Sequence, residues 1–264
     1  MTGSAPREWD ADAYHRLAEH QRAWGRAVLA RLPLGGDETV LDAGCGTGRV
    51  TELLLARLPR GRVVAVDASR AMLRAARAHL LPRWRGRVDF LFADLAALRL
   101  AAPVDAVFSN AVFHHVPDHP ALFPALHAAL RPGGRLVAQC GGGPNLVALR
   151  AHVAAVAAGD ARLAALRGWP GPWEFADAPT TRARLSAAGF VPLGVSVTAA
   201  PVTLASPEVL AAHLRAVTLR SHLAVIGDAA ARDALVAGVV ARCMDDEPPL
   251  TLDHWRLDID ALRP

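Results

Sequence analysis

The sequence predicts an α/β fold, and the prediction begins with one stretch near the amino terminus. Residues 39–41 read as a short buried strand of β-branched and aliphatic side chains, which Asp42 ends. Glycine then occupies alternate positions over residues 44–48, and the apolar face of residues 50–58 indicates a helix. A strand, a glycine turn and a helix form the first unit of a nucleotide-binding α/β domain. The glycines permit a sharp turn, and the helix N-terminus offers N–H groups to an anion.

The rest of the chain alternates strand patterns with helix patterns, which is the arrangement that builds parallel sheets. Strands are predicted where short runs of β-branched, aliphatic and aromatic residues stand between turn residues. The last strand has a period of two, with Trp255, Leu257 and Ile259 on one face. The predicted strands after the first cover residues 62–66, 88–92, 104–109, 135–140, 189–197 and 253–261.

Helices are predicted where apolar residues recur every three or four positions. The first has one apolar face and ends at Pro33, and Ser69 starts another. In the second half of the chain, an aromatic and proline-rich loop at residues 169–175 separates helical patterns. The predicted helices, besides residues 50–58, cover residues 10–32, 69–80, 120–130, 145–168, 180–188, 208–226 and 229–244.

The composition narrows the class of protein. A chain of 264 residues with 52% hydrophobic side chains can fill one large α/β domain. No apolar run is long enough to cross a bilayer, and the first ten residues lack the apolar segment of a signal peptide. We therefore expect a cytoplasmic protein with no membrane partner. The cysteines Cys45, Cys140 and Cys243 are far apart, so we expect reduced thiols rather than a disulfide or metal site.

The net charge of +4 does not predict a nucleic-acid partner. All 29 basic residues are arginines, and they are spread along the chain rather than clustered. Nucleic-acid binding calls for a basic stripe with interleaved aromatic residues. We interpret the arginines as a solvated surface with a mild attraction for anionic substrates.

The spacing of the glycines distinguishes between cofactors. In the dinucleotide turn G-x-G-x-x-G, the third glycine would stand where this chain has Arg49, and a long side chain there would hinder helix–strand packing. This argues against a nicotinamide-dependent oxidoreductase. The form D-x-G-C-G-T-G over residues 42–48 resembles motif I of class I methyltransferases that use S-adenosylmethionine. Residues 110–118, N-A-V-F-H-H-V-P-D, resemble motif IV of the same family.

Residues 39–140 together resemble the core of a class I methyltransferase, and more closely its trans-aconitate methyltransferase-like group. The glycine turn, Asp67, Asn110 and the segments 116–120 and 132–134 carry the resemblance. It implies a Rossmann-like sheet of seven strands, mostly parallel with the last strand antiparallel beside the sixth, helices on both faces and a helical cap. It also implies one methyltransferase domain over residues 1–264. Its parts would be an N-terminal helical cap at 1–35, a cofactor-binding core at 36–140, and substrate-side helices and lid at 141–188 and 205–246.

Several polar residues follow the predicted strands, where ligands of open parallel sheets lie. Asp67 comes 19 residues after Gly48, and a carboxylate there can accept two hydrogen bonds from a ribose diol, although a helix N-cap is the structural alternative. Asp94 has the position at which family members bind the adenine amino group. The residues expected to bind S-adenosylmethionine, or its product S-adenosylhomocysteine, are Gln21, Asp42, Gly44, Cys45, Gly46, Gly48, Asp67, Ala68, Met72, Ala93, Asp94, Leu95, Asn110 and Ala111.

The acceptor side is less determined by the sequence. His114 and His115 stand where trans-aconitate methyltransferase-like enzymes often have Gln-Trp, and both are candidate catalytic residues. A carboxylate acceptor is already anionic and needs no base, whereas a hydroxyl acceptor would use one of these histidines. The residues expected to contact the acceptor are Tyr14, Trp24, His114, His115, His152, Trp169, Trp173 and Phe175.

The expected function is therefore methyl transfer from S-adenosylmethionine to a small molecule. O-methylation of a carboxylate or hydroxyl is favoured, because an in-line displacement mainly requires alignment of the acceptor. N- or C-methylation of a small metabolite, and a non-catalytic module that binds S-adenosylmethionine, remain open. The protein would act as a monomer or a homodimer.

Overall fold

The computed structural model describes the backbone of residues 19–264 and the side chains of residues 23–264. Within that range nine strands form a large and a small sheet. The strands are β1 (Thr39–Ala43), β2 (Arg62–Asp67), β3 (Val88–Phe92), β4 (Val104–Asn110), β5 (Leu130–Gly141), β6 (Val191–Ala199), β7 (Val202–Thr203), β8 (Thr251–Leu252) and β9 (Trp255–Leu262).

The large sheet has seven strands in the order β3-β2-β1-β4-β5-β9-β6. The first five strands of this order are parallel, and β9 runs antiparallel to both of its neighbours. This confirms the predicted fold, including the last strand beside the sixth. Strand order reverses between β1 and β4, and ligands of open α/β sheets bind outside the carboxyl ends of strands at such a point.

Helices cover both faces of this sheet, as predicted. Alternate residues of one strand face opposite layers: Val40 packs with α1, α2 and α3, whereas Leu41 packs on the side of α4 and α6. The helices of the described range are α1 (Glu19–Ala30), α2 (Arg49–Ala56), α3 (Arg70–Trp84), α4 (His119–Ala129), α5 (Val147–Gly159), α6 (Ala178–Ala187), α7 (Pro207–His213), α8 (Arg220–Ala224) and α9 (Ala229–Met244).

The helices α5, α7 and α9 build a core of their own. Leu149, Leu210 and Leu235 are buried together in a cluster that contains no residue of the seven-stranded sheet. The short strands β7 and β8, which the sequence pattern did not predict, pair beside this cluster. By contrast, α6 packs on the large sheet through Leu185, although residues 141–188 are expected on the substrate side.

Two predicted helices are interrupted. Residues 145–168 form α5 and a separate 3₁₀ turn at Ala161–Leu166. Residues 208–226 form α7, a π-helical turn at Leu214–Thr218, and α8. The N–H of Leu219 donates to the carbonyl of Leu214 at 2.7 Å, so five residues rather than four close the turn. The extra residue places Leu219 in the same buried cluster as Leu210 and Leu214. Burial of these leucines therefore overrides regular α-helical spacing.

The described residues contain no disulfide and no helix that could span a membrane. The thiols of Cys45, Cys140 and Cys243 are free and buried. Between residues 19 and 264, every helix is too short or too polar to cross a membrane.

Candidate active site

The glycine turn after β1 has the backbone geometry that its sequence requires. Gly44, Gly46 and Gly48 have φ values of 90°, 54° and 84°, which favour glycine. The N–H groups of residues 44 and 45 both donate to the carbonyl of Val66 at 2.9 Å, which ties the turn to β2. A Cβ atom on Gly46 would meet nothing within 4 Å, so one side of the turn lies open to an approaching ligand.

Asp67 connects this turn to the next helix. Its Oδ2 accepts a hydrogen bond from the N–H of Gly46 at 2.9 Å, and its Oδ1 accepts one from the N–H of Ser69 at 2.8 Å. Ser69 is the N-cap of α3, so Asp67 is not the cap itself. Each carboxylate oxygen has a second lone pair. The half-buried carboxylate therefore has the chemistry to accept hydrogen bonds from a diol beside the open side of the turn.

Asp42 lies beneath the turn rather than at its surface. The side chain is 2% exposed and accepts a hydrogen bond from the hydroxyl of Thr51 at 2.6 Å. Burial raises the pKa of Asp42 to about 7; the hydrogen bond from Thr51 opposes this rise, and the charge of Asp67 adds to it. Asp42 therefore supports the start of α2 against the turn.

The other residues expected to bind the cofactor differ in exposure. Ala68 is exposed, whereas Cys45, Met72 and Leu95 are buried. The exposed Asp94 caps a short 3₁₀ turn by accepting from the N–H of Ala96 at 2.9 Å. Gly44, Ala93 and Asn110 are half-buried. Ala111 has a φ of 61°, and its N–H donates to the carbonyl of Gln139.

The two histidines after β4 lie at the same edge of the sheet. Their ring centroids are 4.2 Å apart. The Nδ1 atom of His114 accepts a hydrogen bond from the N–H of Gly141, at the end of β5, at 3.1 Å. Burial, with the charges of His115, Arg256, His254 and His119, holds the pKa of His114 well below its ordinary value of 6.5. His114 is therefore a neutral ring whose proton is on Nε2.

A hydrogen-bonded chain holds these histidines against the second half of the protein. The Nε2 of the buried His119 lies 2.9 Å from the carbonyl of Phe113, and its Nδ1 lies 3.0 Å from a guanidinium nitrogen of Arg184. That nitrogen also donates to Glu174 at 2.9 Å, and the N–H of Glu174 donates to the carbonyl of His114. The sequence patterns did not identify these residues as part of the site, although His119 lies within the segment 116–120.

The aromatic loop is divided between the site and the helical cluster. Phe175 lies 5.9 Å from His114 between ring centroids, and Trp173 stacks on Phe175 at 5.3 Å. Trp169 instead lies 4.9 Å from His222, whose pKa burial lowers to about 4. The structure thus brings Phe175 to His114, whereas Trp173, at 5.1 Å from the ring of His222, and Trp169 both pack against the helical cluster.

His152 lies on α5, where it contacts the end of α9. Its Nε2 is 2.8 Å from a carboxylate oxygen of Asp246, and ligand atoms of these two residues and of Cys243 lie within 4.8 Å of one another. Burial raises the pKa of Cys243 to about 11, with additions from Asp246 and Asp253. A histidine–carboxylate hydrogen bond accounts for this arrangement, which joins two helices of the cluster.

The N-terminal helix reaches the site through Trp24. Its ring lies 5.6 Å from that of His254 and 4.3 Å from the guanidinium carbon of Arg256 on β9. Arg256 falls between the apolar positions of the period-two pattern, so its burial could not be predicted from that pattern. Tyr14 and the side chain of Gln21 lie outside the described residues, and only the position of Gln21 on α1 is known.

Comparison with known proteins agrees with this geometry. Residues 40–134 match the model of a methyltransferase domain family, Methyltransf_25. The chain is 37% identical to a trans-aconitate 2-methyltransferase of Azoarcus sp. strain BH72, over 97% of this chain and 91% of that relative. The chain belongs to the trans-aconitate methyltransferase group of class I S-adenosylmethionine-dependent methyltransferases. It is therefore an enzyme that transfers a methyl group from S-adenosylmethionine to a small molecule.

Other relatives match over a shorter range or in fold alone. A trans-aconitate 2-methyltransferase of Variovorax paradoxus S110 is 42% identical over 50% of this chain and 49% of its own length. The phosphoethanolamine N-methyltransferase 2 of Haemonchus contortus, solved with S-adenosylhomocysteine, has a TM-score of 0.63 at 20% identity, over 96% of this chain and 57% of that one. A mycolic acid cyclopropane synthase has a TM-score of 0.61 at 17% identity, over 93% of this chain and 85% of that one. These structural similarities establish the fold of the group.

The residues around the glycine turn fit S-adenosylmethionine. The open side of Gly46 allows close approach of a ligand, and the carboxylate of Asp67 suits a ribose diol. The bound cofactor supplies an activated methyl group on a sulfonium leaving group.

Proposed function

We propose that this methyltransferase acts on a carboxylate oxygen of a small polycarboxylic acid, such as trans-aconitate. The names of its relatives suggest this acceptor. The arrangement of His114 supports it independently of those names. The alternatives, methylation of a hydroxyl, a nitrogen or a carbon, have no comparable support among the described residues.

The proposal rests on the protonation state of His114. Because Nδ1 accepts from the N–H of Gly141, the proton of the neutral ring is on Nε2, which can donate a hydrogen bond but cannot accept a proton. A hydroxyl or ammonium acceptor has to lose a proton, and so benefits from a base. A carboxylate is already ionised at neutral pH. A ring that donates through Nε2 therefore suits an anionic acceptor better than an acceptor that needs deprotonation.

We assign roles to the chain's own groups on this basis. The glycine turn and Asp67 hold the cofactor, His114 orients the acceptor through Nε2–H, and His115 lies beside it. Phe175 and Trp173 cover the acceptor side and exclude water, so that alignment accounts for most of the rate.

We also propose one domain over residues 1–264, with the cap at 1–35, the core at 36–140 and the substrate side at 141–188 and 205–246. We further propose that the protein is cytoplasmic, that it acts as a monomer or a homodimer, and that it needs no nucleic-acid partner.

An acceptor screen tests the proposal. The purified protein is incubated with S-adenosylmethionine and with trans-aconitate, a monocarboxylic acid, a phenol or an amine, and products are identified by mass spectrometry. We expect methyl esters of the carboxylic acids and a rate that changes little between about pH 6 and pH 9, because the proposed reaction uses no catalytic base. Methylation of the phenol or the amine, without ester formation, would contradict the proposal.

The same assay tests the cofactor assignment through Asp67→Ala. Loss of two charge-assisted hydrogen bonds to a diol should weaken S-adenosylhomocysteine binding roughly 100-fold, measured by isothermal titration. Asp89→Ala is the matched control, because Asp89 is an exposed acid of β3 that pairs with Arg62 on the surface. Equal affinities of the two variants for S-adenosylhomocysteine would show that Asp67 does not bind the cofactor.

A further inference from the structure

We propose that Arg256 forms a binding subsite for a second, non-reacting carboxylate of the acceptor. This inference rests on the proposed polycarboxylic acceptor and identifies the residue that would distinguish it from a monocarboxylic acid. It is carried by the position, the burial and the surroundings of this one guanidinium.

The topology places Arg256 at the ligand edge of the sheet. Because β9 runs antiparallel, its first residues lie beside the last residues of β5, and Arg256 pairs with Gly141. Gly141 is the residue whose N–H donates to His114. The charge of Arg256 also acts on His114, where it contributes to the lowered pKa of that ring. The subsite and the proposed acceptor-orienting histidine are therefore neighbours.

The guanidinium is held in a fixed orientation. Arg256 is 5% exposed, and the ring of Trp24 lies 4.3 Å from its Cζ. Its Nε donates to the side-chain oxygen of Gln139 at 3.4 Å, and the amide nitrogen of Gln139 donates to Asp258 at 2.8 Å. Asp258 is in turn paired with Arg31 at 2.6 Å. Gln139 thus fixes one edge of the guanidinium, while a second arginine balances the charge of Asp258.

The chemistry of this location favours a carboxylate ligand. A guanidinium is always charged and presents parallel N–H groups that match a carboxylate, and an aromatic ring against one face preorganises it. The neighbouring ring of His114 adds a donor, because its Nδ1 accepts from Gly141 and its proton is on Nε2. Two donors at the crevice, Arg256 and the Nε2–H of His114, could then each hold one carboxylate of the same molecule.

Two variants of the full-length protein test the subsite. Arg256→Gln removes the charge, and Arg256→Lys keeps it but loses the paired N–H groups. Kinetics are measured with trans-aconitate and with a monocarboxylic acid, together with S-adenosylhomocysteine binding by titration and thermal unfolding. Arg62→Gln, which changes a surface arginine paired with Asp89, is the control.

We expect both Arg256 variants to raise the KM for trans-aconitate, roughly 50-fold for Gln and less for Lys. The kcat/KM for the monocarboxylic acid and the affinity for S-adenosylhomocysteine should stay within about threefold of wild type, since neither ligand needs the second carboxylate contact. A polycarboxylate should also bind the wild-type S-adenosylhomocysteine complex more tightly than a monocarboxylic acid does.

Other outcomes would overturn the inference. Unchanged KM for trans-aconitate, or equal losses with both acceptors, would make Arg256 a structural partner of Trp24. If Arg256→Gln does not fold, Arg256→Lys tests the inference by the same two comparisons with wild type. These are the KM for trans-aconitate and the kcat/KM for the monocarboxylic acid. The proposed function fails separately: in that case the wild-type enzyme esterifies no carboxylic acid at all, whatever the Arg256 variants bind.

Discussion

At the scale of single residues, the two acids of the cofactor motif have different tasks. Asp67 offers oxygens at the mouth of the crevice, whereas Asp42 is buried beneath the glycine turn with Thr51. Their sequence contexts are alike, since each follows a run of apolar strand residues, although Asp42 lies within β1 and Asp67 ends β2. Burial is what separates them, because an enclosed carboxylate resists ionisation and an accessible one can accept from a ligand.

The buried acid makes stability depend on pH in a definite direction. Burial raises the pKa of Asp42 to about 7, against 3.8 as its ordinary value. Between these values the unfolded chain loses the proton while the folded protein keeps it. The stabilisation by protonated Asp42 is therefore full below about pH 4 and is lost as the pH rises to about 7.

Asp42→Asn should remove this dependence, because the amide oxygen still accepts from Thr51 and never ionises. We expect the difference in the free energy of unfolding between variant and wild type to grow by roughly 2 kcal/mol from pH 5 to pH 7, measured by urea denaturation. Asp89→Asn, at an exposed acid, should show no such growth. Parallel pH profiles for Asp42→Asn and wild type would show that Asp42 is ionised throughout.

At the scale of elements, the glycine turn contains two glycines with different requirements. A Cβ on Gly44 would clash with the side chain of Val112, in the segment that carries the histidines. A Cβ on Gly46 would point into open space, at a φ of 54°. The first glycine is therefore needed for packing between two segments, and we propose that the second is needed for access of the cofactor.

This contrast gives a paired prediction. Gly44→Ala should lower the free energy of unfolding by about 3 kcal/mol, through the clash and the left-handed backbone. Gly46→Ala should cost about 1 kcal/mol but weaken S-adenosylhomocysteine binding strongly, because the methyl group enters the ligand's space. Urea denaturation and titration calorimetry check both. Normal affinity in Gly46→Ala would show that the ligand does not approach this side of the turn.

At the scale of the whole molecule, a chain of polar groups joins the two halves of the protein. His119 follows β4 in the cofactor half, whereas Glu174 and Arg184 come from the second half and hold the aromatic loop beside His114. Burial, with the charge of Arg184, lowers the pKa of His119 despite its bond to the Phe113 carbonyl and the nearby acids Glu174 and Asp118. The aromatic loop is thereby positioned against the segment that follows β4.

Glu174→Ala should affect acceptor binding but not cofactor binding. We expect the KM for the acceptor to rise roughly tenfold, since misplaced groups lose alignment, while S-adenosylhomocysteine binding stays as in wild type. Stability should fall by less than about 1 kcal/mol, because the ion pair is partly exposed. Glu208→Ala, at an exposed acid bonded to Ser206, is the control. A loss of cofactor affinity in Glu174→Ala would show that the network supports the core instead.

Much of this protein could be predicted from local sequence alone. The alternation of strands and helices, the glycine turn and the position of Asp67 all follow from short-range patterns, because strand period, turn geometry and helix spacing are local properties. The seven-stranded order followed from the resemblance of the motifs rather than from periodicity. The interrupted helix at residues 207–224 could not be predicted, because the burial of Leu219 depends on helices distant in sequence.

The arrangement of the candidate site was decided by the tertiary structure. Local sequence determined which segments end at the ligand edge of the sheet and which acids and histidines those segments carry. Only the antiparallel insertion of β9 brings Arg256 beside Gly141, and only folding gives Nδ1 of His114 a backbone donor and encloses Asp42. Burial, hydrogen-bond partners and pKa are properties of surroundings that come from several parts of the chain, and so no single stretch of sequence contains them.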